Sequence, residues 1–458
     1  MKNRYRWICL LTALVLVIGC WPVTAWAEQA PEAVCTMTDK QGAVQWMLAD
    51  SNRTTKIQWP GGALTVESET PFSALYVIWD QPPGNWTGQA GETVIAGGQY
   101  GFIHEYIPLE APVTKAVLEL PQGALCCDIY AFGEGEIPDW VQQWQPPLED
   151  ADLLLLPTHA DDEHLFFGGT MPYYAGELGK KVQVAYFTNH WGEPYRPHEL
   201  LNGLWTVGVR AYPIMSDFVD QYAGSLEEAR SLYDEQTAIA WQVEQLRRFK
   251  PEVVVGHDVN GEYGHGAHMY NTYTLQQALE LSGDPAEYPE SAEKWGVWDV
   301  PKTYLHLYSE NPVVMDWSIP LEAFDGKTAV EMARLGFEKH VSQQTFFKVE
   351  DFGPYDCRLF GLYRSTIGPD EAKNDFFEGL TEEDYSDYQP PEPEEQPPVE
   401  EPEPQPSQPE IPPEQESSQA GPQHQPQWKS FAWPALGAVV LVFLVLSIFI
   451  KRKRGRNP

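Results

Sequence analysis

Residues 153–169 read LLLLPTHADDEHLFFGG, an apolar run that ends in His159, Asp161, Asp162, Glu163 and His164. Five titratable groups in six positions repel one another, or carry a desolvation cost, unless something gathers them. A metal ion is the candidate gatherer. A second cluster, GHDVNGEYGHGAH at 256–268, supplies His265 and His268. His159, Asp162 and His268 together make a common zinc set of two histidines and one carboxylate, with a fourth position open to water or substrate. Water on such an ion has a pKa near ~7 and can attack a carbonyl at neutral pH. Asp161 adjoins a ligand and is placed to take the water's proton as general base. His265, three residues before His268, reaches the same centre. Protonated, it would stabilise an oxyanion or protonate a leaving group. Glu163 reads as a hydrogen-bond partner rather than a ligand, and His164 as a neighbour. Alone, DDE is an ordinary solvated turn and His-x-x-His an ordinary surface pair; the weight lies in both clusters following strands and each supplying a histidine.

The elements that must position these groups change rhythm along the chain. From 28 to 148, short apolar runs such as GALTVES, ALYVIWD, KAVLELP and CCDIYAFG are broken by Gly, Pro and Asn. That spacing predicts antiparallel strands in a β-sandwich. Trp79, Trp86 and Tyr106 are its candidates for stacking on a sugar, against the plainer reading that they fill the core. From 149 to 380, DLLLLPT, VQVAYFTN and EVVVGHD read as buried strands. GTMPYYAGELGKK reads as a helix or helical turn. RPHELLNGLWTVGV reads as a helix, and SLEEARSLYDEQTAIAWQVEQLRRFK as one long helix ending before Pro251. Alternation of this kind predicts an α/β, Rossmann-like domain: a mostly parallel sheet with flanking helices. Such sheets bind ligands beyond the carboxyl ends of their strands, where both clusters fall.

Several of these stretches resemble a known family. THADDEH followed by GG resembles the (A/P)-H-P-D-D-E motif of the PIG-L, or LmbE-like, de-N-acetylases. HDVNGEYGHGAH resembles that family's second motif, which ends in Gly-His-x-x-His. RPHELLNGLWTVGV is similar to its Arg-x-x-Glu helix, and KHVSQQT to its late Ser-Gln element. The resemblance covers roughly residues 150 to 350. It implies that His159, Asp162 and His268 hold Zn2+ or another divalent ion, that Asp161 is the general base, and that His265 assists the tetrahedral intermediate. It further implies that Tyr263 steadies that intermediate and that Arg196 contacts substrate. Members of the family cleave an N-acetyl group from glucosamine-containing molecules: inositol glycolipids, small thiol precursors, and lipid- or antibiotic-linked sugars. One departure is Ala160, which stands where the family has proline. Proline would stiffen the turn, so a working site on a slightly looser loop is expected. Thr158, another replacement, could hydrogen-bond nearby.

The ends of the chain read as addresses. Residues 1–27 carry Lys2, Arg4 and Arg6, an apolar run and Ala25-Trp26-Ala27, a signal-peptide pattern; VIGC, ending at Cys20, is the competing lipobox reading. Residues 381–429 are rich in Pro, Glu and Gln, with 13 acidic and no basic side chains between 382 and 416. Such a stretch cannot bury a core and reads as a disordered spacer. Residues 430–450 are apolar enough to cross a bilayer, and the basic tail at 451–458 is expected in the cytoplasm. A net charge of -36 argues against nucleic acid as a partner. Cys35, Cys126, Cys127 and Cys357 remain after the leader, and three full pairings are open to them. The expectation is a single-pass, cell-surface, metal-dependent hydrolase with its folded part outside, removing the N-acetyl group of an N-acetylglucosamine-type sugar. The alternatives are hydrolysis of another amide, or a non-catalytic glycan-binding surface protein.

Overall fold

In the computed structural model of the chain, residues 28–345 and 347–380 are described. The leader, the acidic spacer, the apolar segment at 430–450 and the basic tail lie outside the described residues. Among the described residues, no helix is long and apolar enough to cross a membrane.

The first region holds β1 (Cys35–Asp39), β2 (Ile57–Gln58), β3 (Gly62–Trp79), β4 (Trp86–Ala90), β5 (Thr93–Gly97), β6 (His104–Leu120) and β7 (Leu125–Phe132). They pair antiparallel in the order β2-β7-β3-β6-β4-β5, with β1 beside β3, as one continuous hydrogen-bonded sheet. Trp79 and Trp86 are buried, and both indole N–H groups donate to Glu105 Oε2, at 3.2 and 2.9 Å. The core reading therefore holds for them, and neither offers a face to a sugar. Tyr106 is half-buried. Cys126 and Cys127, adjacent on β7, enter different apolar clusters, as alternation on a strand requires. All four described cysteines are free thiols.

The second region holds β8 (Leu153–Leu155), β9 (Val182–Tyr186), β10 (Ile214–Met215), β11 (Val253–Gly256), β12 (Lys302–His306), β13 (Pro312–Val314) and β14 (Leu359–Ser365). Their order is β10-β9-β8-β11-β12-β14-β13. Pairs from β10 to β12 are parallel, and the two involving β14 are antiparallel. Alternate residues of the central strands enter opposite cores. Leu153, Leu155, Val253 and Val255 pack in one cluster, and Leu154, Leu156, Val254 and Leu305 in another. Both faces are thus covered, which is why these strands read as unbroken apolar runs. The chain runs outward from β8 through β9 to β10, then returns to place β11 on the other side of β8. Ligands bind at such a reversal point, beyond the strand ends. Leu155 pairs with Val255, so the loops leaving β8 and β11 emerge side by side.

The helices are α1 (Asp162–Leu165), α2 (Arg196–Thr206), α3 (Leu226–Leu232), α4 (Glu235–Phe249), α5 (Gly266–Leu281), α6 (Pro289–Trp295) and α7 (Ala329–Phe337), with a π-helical turn at Pro172–Glu177. The long helix expected over 225–250 is two helices. Tyr233 is extended (φ -117°, ψ 137°), and Asp234 restarts the chain by accepting the Thr237 N–H at 2.8 Å. Aspartate favours this capping position over a helix interior. Arg247 on α4 is fully buried and donates to the carbonyls of Leu281, Ser282, Asp284, Glu287 and Tyr288 at 2.7–3.2 Å. It thereby fixes the end of α5, the helix that carries His268. Arg247→Ala leaves those carbonyls short of a donor, each at about 1–3 kcal/mol when buried. Urea unfolding should report a stability loss of at least ~3 kcal/mol.

The two regions meet through polar bonds near α2. His104 Nε2 on β6 stands 2.8 Å from His198 Nδ1 on α2, and Arg53 donates to Asn202 at 3.0 Å. The Ile103 N–H donates to the Tyr212 hydroxyl at 3.1 Å. The strand-rich region therefore braces the helix whose first residue, Arg196, points into the site.

Candidate metal centre

The loop after β8 bends sharply. Asp161 has φ 121° and ψ -28°, a strained conformation for a residue with a side chain. Four bonds hold it. The Asp161 N–H donates to Glu163 Oε2 at 2.7 Å, its carbonyl accepts the His164 and Leu165 N–H groups at 3.1 Å, and Arg196 donates to the neighbouring Ala160 carbonyl. The Ala160 N–H donates to His190 Nε2 at 3.1 Å. Proline has no N–H to give, so alanine here supplies a bond as well as freedom. Ala160→Pro should lower stability by about 1 kcal/mol, measured by urea unfolding, because it strips the buried His190 nitrogen of its donor. Thr158 bonds as its replacement suggested: its N–H donates to His257 Nε2 at 2.9 Å and its Oγ1 accepts from Asn271 at 3.0 Å.

The second loop turns through Tyr263 at φ 45° and enters α5 at Gly266. A Cβ at Gly266 would fall 2.1 Å from the Ser225 carbonyl oxygen, so only glycine lets α5 start there. The His265 side chain caps the helix, its Nδ1 accepting the Ala267 N–H at 3.3 Å. That leaves Nε2 as the proton-bearing nitrogen of the neutral ring, which lies 4.8 Å from the His159 ring and 4.6 Å from the His268 ring, centroid to centroid.

These loops bring three donor atoms to one point. His159 Nδ1 lies 3.2 Å from Asp162 Oδ2 and 3.1 Å from His268 Nε2; Asp162 Oδ2 lies 3.3 Å from His268 Nε2. A tetrahedral ion with ~2.0–2.1 Å bonds needs its ligands about 3.3 Å apart. The three residues therefore fit a divalent cation without rearrangement. His268 Nδ1 is tied, 2.7 Å from Glu262 Oε2, and such an outer bond aims its remaining Nε2 lone pair toward the other two donors. His159 Nε2 makes only an ion-pair contact, 3.3 Å from Asp220 Oδ1. His257 Nε2 also approaches Asp162, at 3.4 Å, but it accepts the Thr158 N–H and so forms a wall rather than a ligand.

The field at this point favours positive charge. Asp161, Asp162, Glu163, Asp220 and Glu262 converge, with Arg196 against them. Burial works against a charged His159, but Asp162 and Asp220 outweigh it and raise the imidazole to about 9. Burial would raise Asp220; its contact with His159 overcomes this and holds it at about 2. Burial first, then the charge of Asp162, push the Asp161 carboxyl well above the usual carboxylate range, while Arg196 pulls it back. His265 is driven down to about 3, chiefly by burial and then by its histidine neighbours. Both causes favour the neutral ring over the imidazolium.

The other expected residues fall as follows. Arg196 is 6 % exposed, with its guanidinium on the first loop, 3.6 Å from Asp161 Oδ1. Tyr263 is 40 % exposed, its ring 5.6 Å from those of both His265 and His268. The two softer motifs also meet: the Ser342 N–H and hydroxyl donate to Glu199 at 2.9 and 2.6 Å. Sequence reasoning missed Asp220, His190, His257 and Glu262 as parts of the site. Glu262 and His257 lie inside the second cluster, where their proximity was the only signal. Asp220 comes from a loop without pattern.

Fold and site together define a mixed α/β domain with a two-histidine, one-aspartate centre of the kind that takes a divalent ion. The chain is similar in sequence to deacetylases of the PIG-L, or LmbE-like, family. It is 30% identical over 207 residues to 1D-myo-inositol 2-acetamido-2-deoxy-alpha-D-glucopyranoside deacetylase 1 of Catenulispora acidiphila, covering 39% of this chain and 63% of that one. It is 29% identical over 190 residues to the deacetylase of the same description from Mycobacterium leprae, covering 35% and 61%. The chain thus spans about three fifths of the length of these curated relatives. No family model matches it. Among solved structures, N,N'-diacetylchitobiose deacetylase from Pyrococcus horikoshii is 18% identical at a TM-score of 0.34, covering 43% of this chain and 72% of that one. A zinc-inhibited form of teicoplanin deacetylase is 16% identical at 0.29, covering 45% and 88%. Scores this low carry no weight for activity.

Proposed function

We propose that this chain is a zinc-dependent hydrolase that removes the N-acetyl group from an N-acetylglucosamine-type sugar or glycoconjugate. The observation that carries the reading is the triangle of His159, Asp162 and His268 donor atoms with Asp161 beside it. The names of the curated relatives support the substrate class. The reading includes a Rossmann-like hydrolase domain (149–380) behind a β-sandwich domain (28–148) that braces it. It also includes a cell-surface location, for which the leader, spacer and apolar segment of the sequence are the support.

A divalent ion held by His159, Asp162 and His268 would polarise the acetyl carbonyl and acidify water at the open position. Asp161 accepts the proton as the water oxygen bonds to the carbonyl carbon; its raised proton affinity makes it a stronger base than a solvated aspartate. The carbonyl π electrons move to oxygen. The neutral His265 donates its Nε2–H to that region, stabilising negative charge without bringing a full positive charge of its own. Tyr263, at the rim, adds its hydroxyl. The C–N bond then breaks, the amine nitrogen takes a proton relayed from Asp161, and acetate and a free amino sugar leave. Arg196 holds the Ala160–Asp161 turn in place throughout and is offered as a substrate contact as well.

The test is acetate release by the full chain from N-acetylglucosamine oligosaccharides, with and without a chelator. Acetate should appear and should fall to background on chelation, returning with added zinc. Acetate release that survives full metal removal sinks the reading, as does a panel on which no acetate appears with metal bound.

A further inference from the structure

Behind the first loop, Glu163, His164 and His340 meet where no solvent reaches. Glu163 Oε1 lies 3.1 Å from His340 Nε2 and 3.5 Å from His164 Nε2, and one donor atom from each of the three residues falls within 4.8 Å of the others. Despite that closeness, Oε1 and all four ring nitrogens lack a properly directed hydrogen-bond partner among the described residues. Protein interiors pair nearly all their polar groups. Five unpaired buried atoms in one cluster therefore call for partners, and one atom from each of the three residues lies close enough to the others to share a single one. Two imidazoles and a carboxylate suit a first-row divalent ion such as zinc. The surroundings leave room: a Cβ at Gly203 would come within 2.5 Å of His164 Nε2 and 2.8 Å of His340 Nε2, so glycine there keeps the nitrogens' common side free of side chain.

We propose that Glu163, His164 and His340 form a second divalent-cation site, separate from that of His159, Asp162 and His268. It ties the loop after β8 to the segment just beyond α7. Glu163 is the link between the two centres. Its Oε1 faces the buried histidines, and its Oε2 holds the strained Asp161 backbone at 2.7 Å. An ion on Oε1 fixes the carboxylate plane and with it the base of the first centre, which makes Glu163 a positioning residue.

The full chain, stripped with chelator and dialysed against zinc, is counted for bound metal as wild type, His340→Gln, Asp162→Ala and the double variant. His340→Gln should hold one equivalent less than wild type, Asp162→Ala one less, and the double variant neither. A zinc count that His340→Gln leaves unchanged overturns the second site, whatever the wild-type total. If His340→Gln lowers the count and Asp162→Ala does not, the second site stands and the catalytic reading fails. Zinc-edge anomalous scattering from wild-type crystals gives a check independent of variant folding. A peak among Glu163, His164 and His340 is expected, and its absence rejects the site.

Discussion

Asp161→Asn is expected to lower kcat by a factor of ~10²–10⁴, the usual worth of a positioned general base, or about 3–5 kcal/mol of barrier. Asparagine is the informative choice because it tolerates positive φ as aspartate does, so the strained turn at φ 121° survives the exchange. It also keeps the Asp161 N–H that donates to Glu163. What changes is the ability to accept a proton. Bound zinc should stay within about a tenth of wild type, since Asp161 is outside the triangle of donors. The pH profile adds a second readout. A base must be ionised to act, and burial together with Asp162 raises the proton affinity of Asp161. The wild-type rate should therefore decline on acidification at a pH above the ordinary carboxylate range, and the residual rate of the variant should lack that limb. Zinc lost together with activity would make Asp161 a ligand and reverse the assigned roles.

The parts of this molecule that were legible in the sequence share one physical feature: a strong local pattern. DLLLLPT and EVVVGHD read as strands because both sheet faces are covered, leaving no polar alternation to confuse with a helix. His159 and Asp162 were legible because they sit just past such a strand, and His268 because its cluster opens at the end of another, continuing onto α5; the sheet order sets those strands side by side. Residues 225–250 misled because their helix-forming composition continues across Tyr233 and Asp234. The break depends on a single capping bond. Trp79 and Trp86 carried no local sign of which way they face; that is set by Glu105, which is 26 and 19 residues away. Asp220 and His190 reach the first loop from the segments after β10 and β9, and only the assembled sheet tells that those segments converge there.

Glu262 shows how much of a metal centre lies outside its ligands. Its Oε2 stands 2.8 Å from His257 Nδ1 and 2.7 Å from His268 Nδ1, and its Oε1 stands 2.7 Å from His306 Nδ1 and 3.2 Å from the Asp258 nitrogen. The three imidazoles come from the end of β11, from α5 and from the end of β12. One carboxylate thus gathers the carboxyl-terminal edge of the sheet around the centre. Glu262→Gln replaces one acceptor oxygen by an NH2 group, and in either orientation that group meets two ring or backbone donors. Two buried donors lose their acceptor, at about 1–3 kcal/mol each. Unfolding of the metal-free chain should therefore report ~2–6 kcal/mol less stability. Freed of its Nδ1 anchor, His268 no longer holds Nε2 toward Asp162, and zinc affinity should fall by ~10–100-fold, measured by chelator competition. The two readouts separate two roles. Stability lost with zinc affinity intact would make Glu262 a fold residue alone. Both lost together fit a residue that sets the aim of His268, because the bond that closes the sheet edge is the same bond that orients the ligand.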